Sequence, residues 1–269
     1  MQEKMKSEGK CLFCGKTFAK AGIHRHLATH LKEKAAAGSP GKSFLIKVEP
    51  HKKMETFPYF LSLWIDGETE MDDIDDFLRK IWLDCCWHKS EFWKKVNVQR
   101  ITQKVYWETL RKMKEENRTE DECIQFMLDN EYSKDDDVEV ISMENKAKIV
   151  FQKSKVLNYD YDFGMPTSLV ITVIEEYQVK AESEIVLLSR NEPLAIMCKV
   201  CEKMPATKLC TCHWQFSVFC DECAKEHAKE CNAFNEYSSR LVVNSPRMGD
   251  CVYRGGSIDK ERDGVFYRR

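Results

Sequence analysis

At 269 residues, 43% hydrophobic and 11% aromatic, the chain can bury a sizeable core, which excludes global disorder. Its formal net charge of −2 hides an asymmetry: residues 1–53 carry 12 Lys+Arg against 4 Asp+Glu, a net of +8, leaving −10 for the remainder. A basic arm on an acidic body points to an anionic partner for the arm, such as nucleic acid, or to a solubilising tail.

The first residues, M-Q-E-K-M-K-S-E-G-K, are charged and lack the apolar core of a secretory signal. No apolar run approaches the roughly 20 residues needed to span a bilayer. The expectation is a cytoplasmic protein with no membrane partner. Its 13 cysteines are then reduced, and clustered pairs among them read as metal ligands rather than disulfides.

Residues 1–34 are predicted to form a ββα-type zinc finger. In C-L-F-C-G-K-T-F-A-K-A-G-I-H-R-H-L-A-T-H-L, Cys11 and Cys14 make a two-residue knuckle, and His26 and His30 share one helix face. His24 with His30 is an alternative pair. The segment resembles the zinc finger with two cysteines and two histidines, with eleven residues between Cys14 and His26 where twelve are usual. Lys16, Lys20, Arg25, Lys32 and Lys34 are candidate phosphate contacts. Residues 35–55 read as a linker, its first part, A-A-A-G-S-P-G-K-S, small and polar.

Residues 56–195 are predicted to be an α+β domain with a mixed or antiparallel sheet and flanking helices. F-P-Y-F-L-S-L-W-I-D reads as a strand. Ile74, Phe77, Leu78, Ile81 and Trp82 fall at helical spacing, behind an acidic first turn that suits the helix dipole. Cys85, Cys86 and His88 follow and could form a ligand trio or a thiol–imidazole pair; with no second knuckle nearby, the cysteines are expected to pack as small buried side chains at a helix end. Helices are predicted from about Val98 to Glu116 and from a capping box at Thr119 and Glu122. Asp135, Asp136 and Asp137 read as a solvated loop. Strands are predicted over 138–142, 148–151, 156–163 and 168–179. In Y-D-Y-D-F-G, Tyr159, Tyr161 and Phe163 alternate with Asp160 and Asp162. The two aspartates therefore share a face and could converge on a ligand or form a polar outer surface.

Residues 196–235 form the densest cluster, with seven cysteines in the 34 residues from Cys198 to Cys231. Cys198 with Cys201, and Cys220 with Cys223, are knuckles. His227 and Cys231 are i and i+4 on a helix expected from about Asp221. The spacing predicts two interleaved zinc ions: Cys198, Cys201, Cys220 and Cys223 on one; Cys210, Cys212 or His213, His227 and Cys231 on the other. A single ion with packed cysteines is the alternative. With the finger, the expectation is three zinc ions. The ligand rhythm resembles cross-braced modules such as MYND and B-box domains. Residues 236–269 read as a loop-like tail, in which Cys251 is isolated, a stray ligand or packed against the zinc module, and Arg247 and Arg254 are candidate anion contacts with a solvated face as the default reading.

F-L-R-K-I-W-L-D-C-C-W-H-K-S-E-F (77–92), Y-D-Y-D-F-G (159–164) and N-S-P-R-M-G-D-C-V-Y-R-G (244–255) together resemble the plasmid ORF-3-like family. The resemblance covers about residues 56–255 and implies an α+β body in a mobile-element setting, some members being named TnpR-like passengers of insertion sequences. Where the family continues Asp-x-Trp after Y-D-Y-D-F-G, this chain has Met165-Pro166-Thr167. No phosphate-binding loop, dinucleotide fingerprint, nucleophile elbow or H-E-x-x-H is present. The reading is a non-enzymatic zinc protein with a nucleic-acid-contacting finger. The alternatives are a protein–protein adaptor, or an enzyme with a site near Asp160, Asp162 and His88.

Overall fold

In the computed structural model, which describes residues 5–52, 57–96, 103–129, 138–212 and 217–263, the chain begins with a hairpin of β1 (Glu8–Lys10) and β2 (Thr17–Ala19). It leads into helix α1 (Lys20–Ala35). Strands β3 (Pro40–Pro50) and β4 (Leu61–Asp66) follow, then helix α2 (Met71–Leu78), which runs into a π turn at Arg79–Leu83. After β5 (Ser90–Lys95) come helices α3 (Gln103–Glu115) and α4 (Glu120–Asp129). Next are β6 (Val138–Ile141), the single-turn helix α5 (Ala147–Val150), β7 (Val156–Tyr161), β8 (Thr167–Val179) and β9 (Ile185–Arg190). The C-terminal part holds β10 (Lys208–Cys210), β11 (Ser217–Phe219), helix α6 (Asp221–Glu230) and β12 (Ser239–Leu241).

The protein is mixed α+β, as expected. A seven-stranded sheet has the order β6-β5-β7-β8-β3-β4-β9, and the pairings from β7 to β9 are all antiparallel. A three-stranded sheet, β11-β10-β12, carries the cysteine-rich module. The chain divides into two compact units, Met1–Phe92 with Ile141–Arg269, and Trp93–Val140. In the second, Tyr106, Leu110 and Cys123 form a small core, and Thr119 and Glu122 make the predicted capping box.

Two expectations change here. Residues 148–151, expected as a strand, lie largely in α5, closed by Phe151 N donating to Ala147 O at 2.7 Å. Residues 35–55, expected as a linker, contain β3, which sits between β4 and β8 inside the large sheet. The small, polar start of that stretch hides the run F-L-I-K-V, whose side chains alternate between two buried faces. Phe44, Ile46 and Val48 join Leu61, Leu63, Ile65, Ile74, Ile81 and Trp82 in the main core. Leu45 faces the other way, with Phe60, Trp64, Tyr177, Val179 and Leu188.

That second face is covered by the N-terminal finger segment. Ile23, Leu27 and Leu31 of α1 are fully buried against it. Burial of three such side chains is worth about 1.5–3 kcal/mol each. The backbone is joined as well: Leu12 N donates to Leu188 O at 2.9 Å, and Glu192 N to Glu8 O at 2.8 Å. Gly9 bridges to Asn191, and a Cβ there would lie 2.5 Å from Ser189 Oγ, 2.6 Å from the Phe60 ring and 2.8 Å from Arg190 O. Only glycine permits this approach. The segment expected to be an independent module therefore shares a core with the body.

Candidate metal centres

Four groups of cysteine and histidine in the described residues are arranged so that each can hold a metal ion, with ligand atoms all within 4.8 Å of one another. Around one ion with sulfur at about 2.3 Å and nitrogen at about 2.0–2.1 Å, tetrahedral ligand atoms stand about 3.3–3.8 Å apart. All 13 cysteines are free thiols.

The first group is Cys11, Cys14, His26 and His30. The knuckle is set by Gly15, at φ +69°, whose N–H donates to Cys11 O at 2.9 Å. His26 Nε2 lies 3.2 Å from both Cys14 Sγ and His30 Nε2. His24, the alternative ligand, turns to the sheet instead, with its Nε2 3.1 Å from Ser62 Oγ. Burial, and then the nearby Lys47, pull its pKa down to about 4, so it is neutral.

The second group is Cys198, Cys201, Cys220 and Cys223, with Cys201 and Cys220 Sγ atoms 3.8 Å apart. Cys198–Cys201 lies in a tight turn, in which Glu202 N donates to Cys198 O at 3.0 Å with Glu202 at φ 55°. Cys220 is the residue preceding α6, and Cys223 lies in the first turn of that helix.

The third group is Cys210, Cys212 and Cys231. Their Sγ atoms are 3.0 Å apart between Cys210 and Cys212 and 3.5 Å between Cys212 and Cys231. His227 is beside Cys210, its ring stacked on Phe219 at 4.4 Å. Its Nε2 is buried with no hydrogen-bond partner. A buried nitrogen without a partner is costly, so it suits a fourth ligand position. The cysteines of the two groups interleave along the chain, Cys210 and Cys212 falling between Cys201 and Cys220. His213 lies outside the described residues, as do Asp135, Asp136 and Asp137.

The fourth group unites residues that the sequence left apart. Cys85, Cys86 and His88 meet Cys251. Cys86 Sγ lies 2.9 Å from His88 Nε2, 3.8 Å from Cys85 Sγ and 3.5 Å from Cys251 Sγ. The expected burial of Cys85 and Cys86 as packed side chains is corrected, since Cys86 is exposed and Cys85 half-buried. Cys251, expected beside the cysteine-rich module, faces Cys86 instead.

The same region gathers parts of segments 77–92, 159–164 and 244–255. Ser245 Oγ donates to Trp82 O at 2.6 Å. The Tyr161 ring has the Arg79 guanidinium 4.9 Å from its centre and that of Arg247 at 5.1 Å. Arg247, expected on a solvated face, is fully buried. It donates to Asp162 Oδ2 at 2.5 Å, Met165 O at 2.7 Å and Thr167 Oγ1 at 3.0 Å. Asp162 leaves the strand at φ 66°, so it does not share a face with Asp160, whose carboxylate accepts a hydrogen bond from Ser168. Burial opposes charge on Asp162, but the bonds from Arg247 and from Met165 and Gly164 N–H outweigh it and hold its pKa below the usual carboxylate range. The two aspartates do not converge on a ligand. A cleft lined by Tyr59, Leu194, Ile196, Val242 and Val243 includes none of Asp160, Asp162 and His88 in its lining. What sequence reasoning missed was the burial of Arg247. No signal within a few residues of Arg247 reveals its partner, Asp162, which lies 85 residues away.

Fold and sites together define a mixed α+β protein with antiparallel sheets and Cys/His groups able to hold metal ions. No helix among the described residues is long and apolar enough to cross a membrane. No protein-family model and no curated protein matches the chain. A solved structure, a protein of unknown function, MM3350, from Methanosarcina mazei Go1, is 13% identical with a TM-score of 0.34, covering 54% of this chain and 66%, just under two thirds, of that one. Likeness at that level carries no argument about function.

Proposed function

We propose that the chain is a non-enzymatic zinc-binding protein in which the first three groups each hold one ion and the exposed face of α1 contacts nucleic acid. The observation that carries the zinc reading is the completeness of the donor sets. The first two groups each offer four thiolate or imidazole ligands within 4.8 Å of one another, and the third offers three thiolates with His227 beside Cys210; thiolates with imidazoles favour zinc over hard cations. Four protein ligands leave no open position for a substrate or a reactive water, which favours a structural over a catalytic ion. The mobile-element setting implied by the plasmid ORF-3-like resemblance, and a cytoplasmic location, belong to this same reading.

The nucleic-acid contact rests on charge. Lys16, Arg25 and Lys32 are exposed, whereas Lys20 and Lys34 pair with Glu49 and Glu182. Counted from Lys20, helix positions −1, 3 and 6 are Ala19, Gly22 and Arg25, all exposed. A single arginine is thus left to read a base edge, so binding is phosphate-driven and weakly selective. Fluorescence anisotropy of the zinc-loaded full chain with DNA and RNA tests this. With about three phosphate contacts, the log–log salt slope should be near −3 on duplex DNA; absence of binding at low salt would remove nucleic acid from the proposal.

A second reading, a protein–protein adaptor, has one observation in its favour. Met197, Val200 and Met204, around the Cys198–Cys201 turn, are 42%, 65% and 57% exposed. Apolar side chains on a rigid metal-bound loop suit docking to a polypeptide.

A further inference from the structure

We propose that Cys85, Cys86, His88 and Cys251 hold a fourth zinc ion, which clips the C-terminal tail to the end of the α2 π turn. The proposal extends the three-ion reading without depending on it.

The donor set is three thiols and one imidazole, with the ligand-atom separations given above in the range of a tetrahedral ion except the 2.9 Å edge, which an ion would open slightly. The ligands come from two backbone segments that are separately held in place. On one side, Asp84 N donates to Arg79 O at 2.9 Å to close the π turn, and Arg79 Nη1 donates to His88 O at 2.8 Å. On the other, Arg240 Nε donates to Cys251 O at 2.7 Å. Both segments also contain a non-glycine residue in the left-handed region, Trp87 at φ 62° and Cys251 at φ 48°. Such conformations persist where the surroundings over-determine them, and shared ligation of one ion does so for both.

The surroundings also suit the charge. Three thiolates on a divalent ion leave a net charge of −1. Arg247 Nη2 lies 3.7 Å from Cys85 Sγ, so a guanidinium faces that excess charge. Asp162 Oδ2, the partner of Arg247, lies 3.4 Å from His88 Nε2. Arg247 thus stands one step out from the Cys85 end of the set, as outer partners of metal sites do. No other group among the described residues joins positions so distant in sequence: Cys86 and Cys251 are 165 residues apart. The ion would therefore fix the tail segment that carries Asn244, Ser245 and Arg247 into the core.

The test uses the full chain purified with zinc, native mass spectrometry for stoichiometry, and N-ethylmaleimide with peptide mapping for each thiol. Four ions per chain are expected. Cys86, though exposed, should be alkylated at least tenfold more slowly than after addition of a chelator, and Cys251 should follow it. Cys251→Ser should hold three ions, with Cys86 newly reactive. Should that variant fail to fold, the alkylation of the unaltered chain decides alone. Chelator-independent alkylation of Cys86 and Cys251 would overturn the proposal, and so would a mass 2 Da low from a Cys86–Cys251 disulfide. A total below four with Cys86 still protected by zinc would support this site and count against one of the other three instead.

Discussion

The Cys11 group and the Cys85 group have similar spacing between ligand atoms but opposite origins. The first takes all four ligands from 20 consecutive residues, a knuckle and two turns of helix. The second is assembled from a π turn and a tail that the main core has already brought together. In a locally encoded site the ion itself ties the knuckle to the helix, so ligation and local folding are coupled. A site encoded by the fold is largely in place before the ion arrives, so there the ion closes and stiffens. The contrast has a twist. The local group is the one whose loss reaches furthest, because α1 roofs a whole face of the sheet.

The largest effect should therefore come from Cys14→Ser. Loss of the first ion frees α1 and uncovers Leu45, Phe60, Trp64, Tyr177 and Leu188. Withdrawing Ile23, Leu27 and Leu31 alone forfeits about 5–9 kcal/mol of burial, comparable with the whole stability of a domain. Near-ultraviolet circular dichroism during heating should show the body's transition lowered by more than 10 °C or lost. An unchanged transition would mean that the finger segment is independent after all.

Next in size is Cys220→Ser. The second and third groups share the short stretch between Cys210 and Cys223, so one lost ligand should release two ions. Native mass spectrometry should find the Cys11 and Cys85 ions retained. A variant that keeps all but one ion would show the two groups to be uncoupled.

Gly9→Ala tests the junction of finger and body without touching a ligand. The added Cβ meets Ser189 Oγ, the Phe60 ring and Arg190 O within 2.8 Å, an overpacking that should cost about 1–3 kcal/mol. The midpoint of urea unfolding should fall with the zinc count unchanged; an unaltered midpoint would show that β1 can move away from the edge at no cost.

The smallest effect concerns order of release. Under a slow chelator the Cys85 group should empty first, because Cys86 is exposed and the other three ligands half-buried, whereas the second and third groups each contain buried thiols. Its emptying should leave the main thermal transition within about 3 °C. Peptide-resolved alkylation during chelation gives the sequence directly, and prior release from Cys210 or Cys198 would reverse the comparison.

Much of this was legible in the chain alone. The knuckles at 11–14, 198–201 and 220–223, the helical i, i+4 pair His227 and Cys231, and the capping box at Thr119 depend on neighbours within a few residues, and spacing reports such neighbours faithfully. The α+β class followed from alternation in β7 and β8 and from the helical period in α2. What tertiary structure alone decided are relations between remote segments. Residues 40–50 looked like the end of a linker because their small, polar lead-in masked a strand buried on both faces. Arg247 looked solvated because nothing local reveals Asp162, 85 residues away. Cys251 looked isolated for the same reason. A lone cysteine becomes a ligand only when a folded core, paid for by distant apolar side chains, carries it to Cys85, Cys86 and His88.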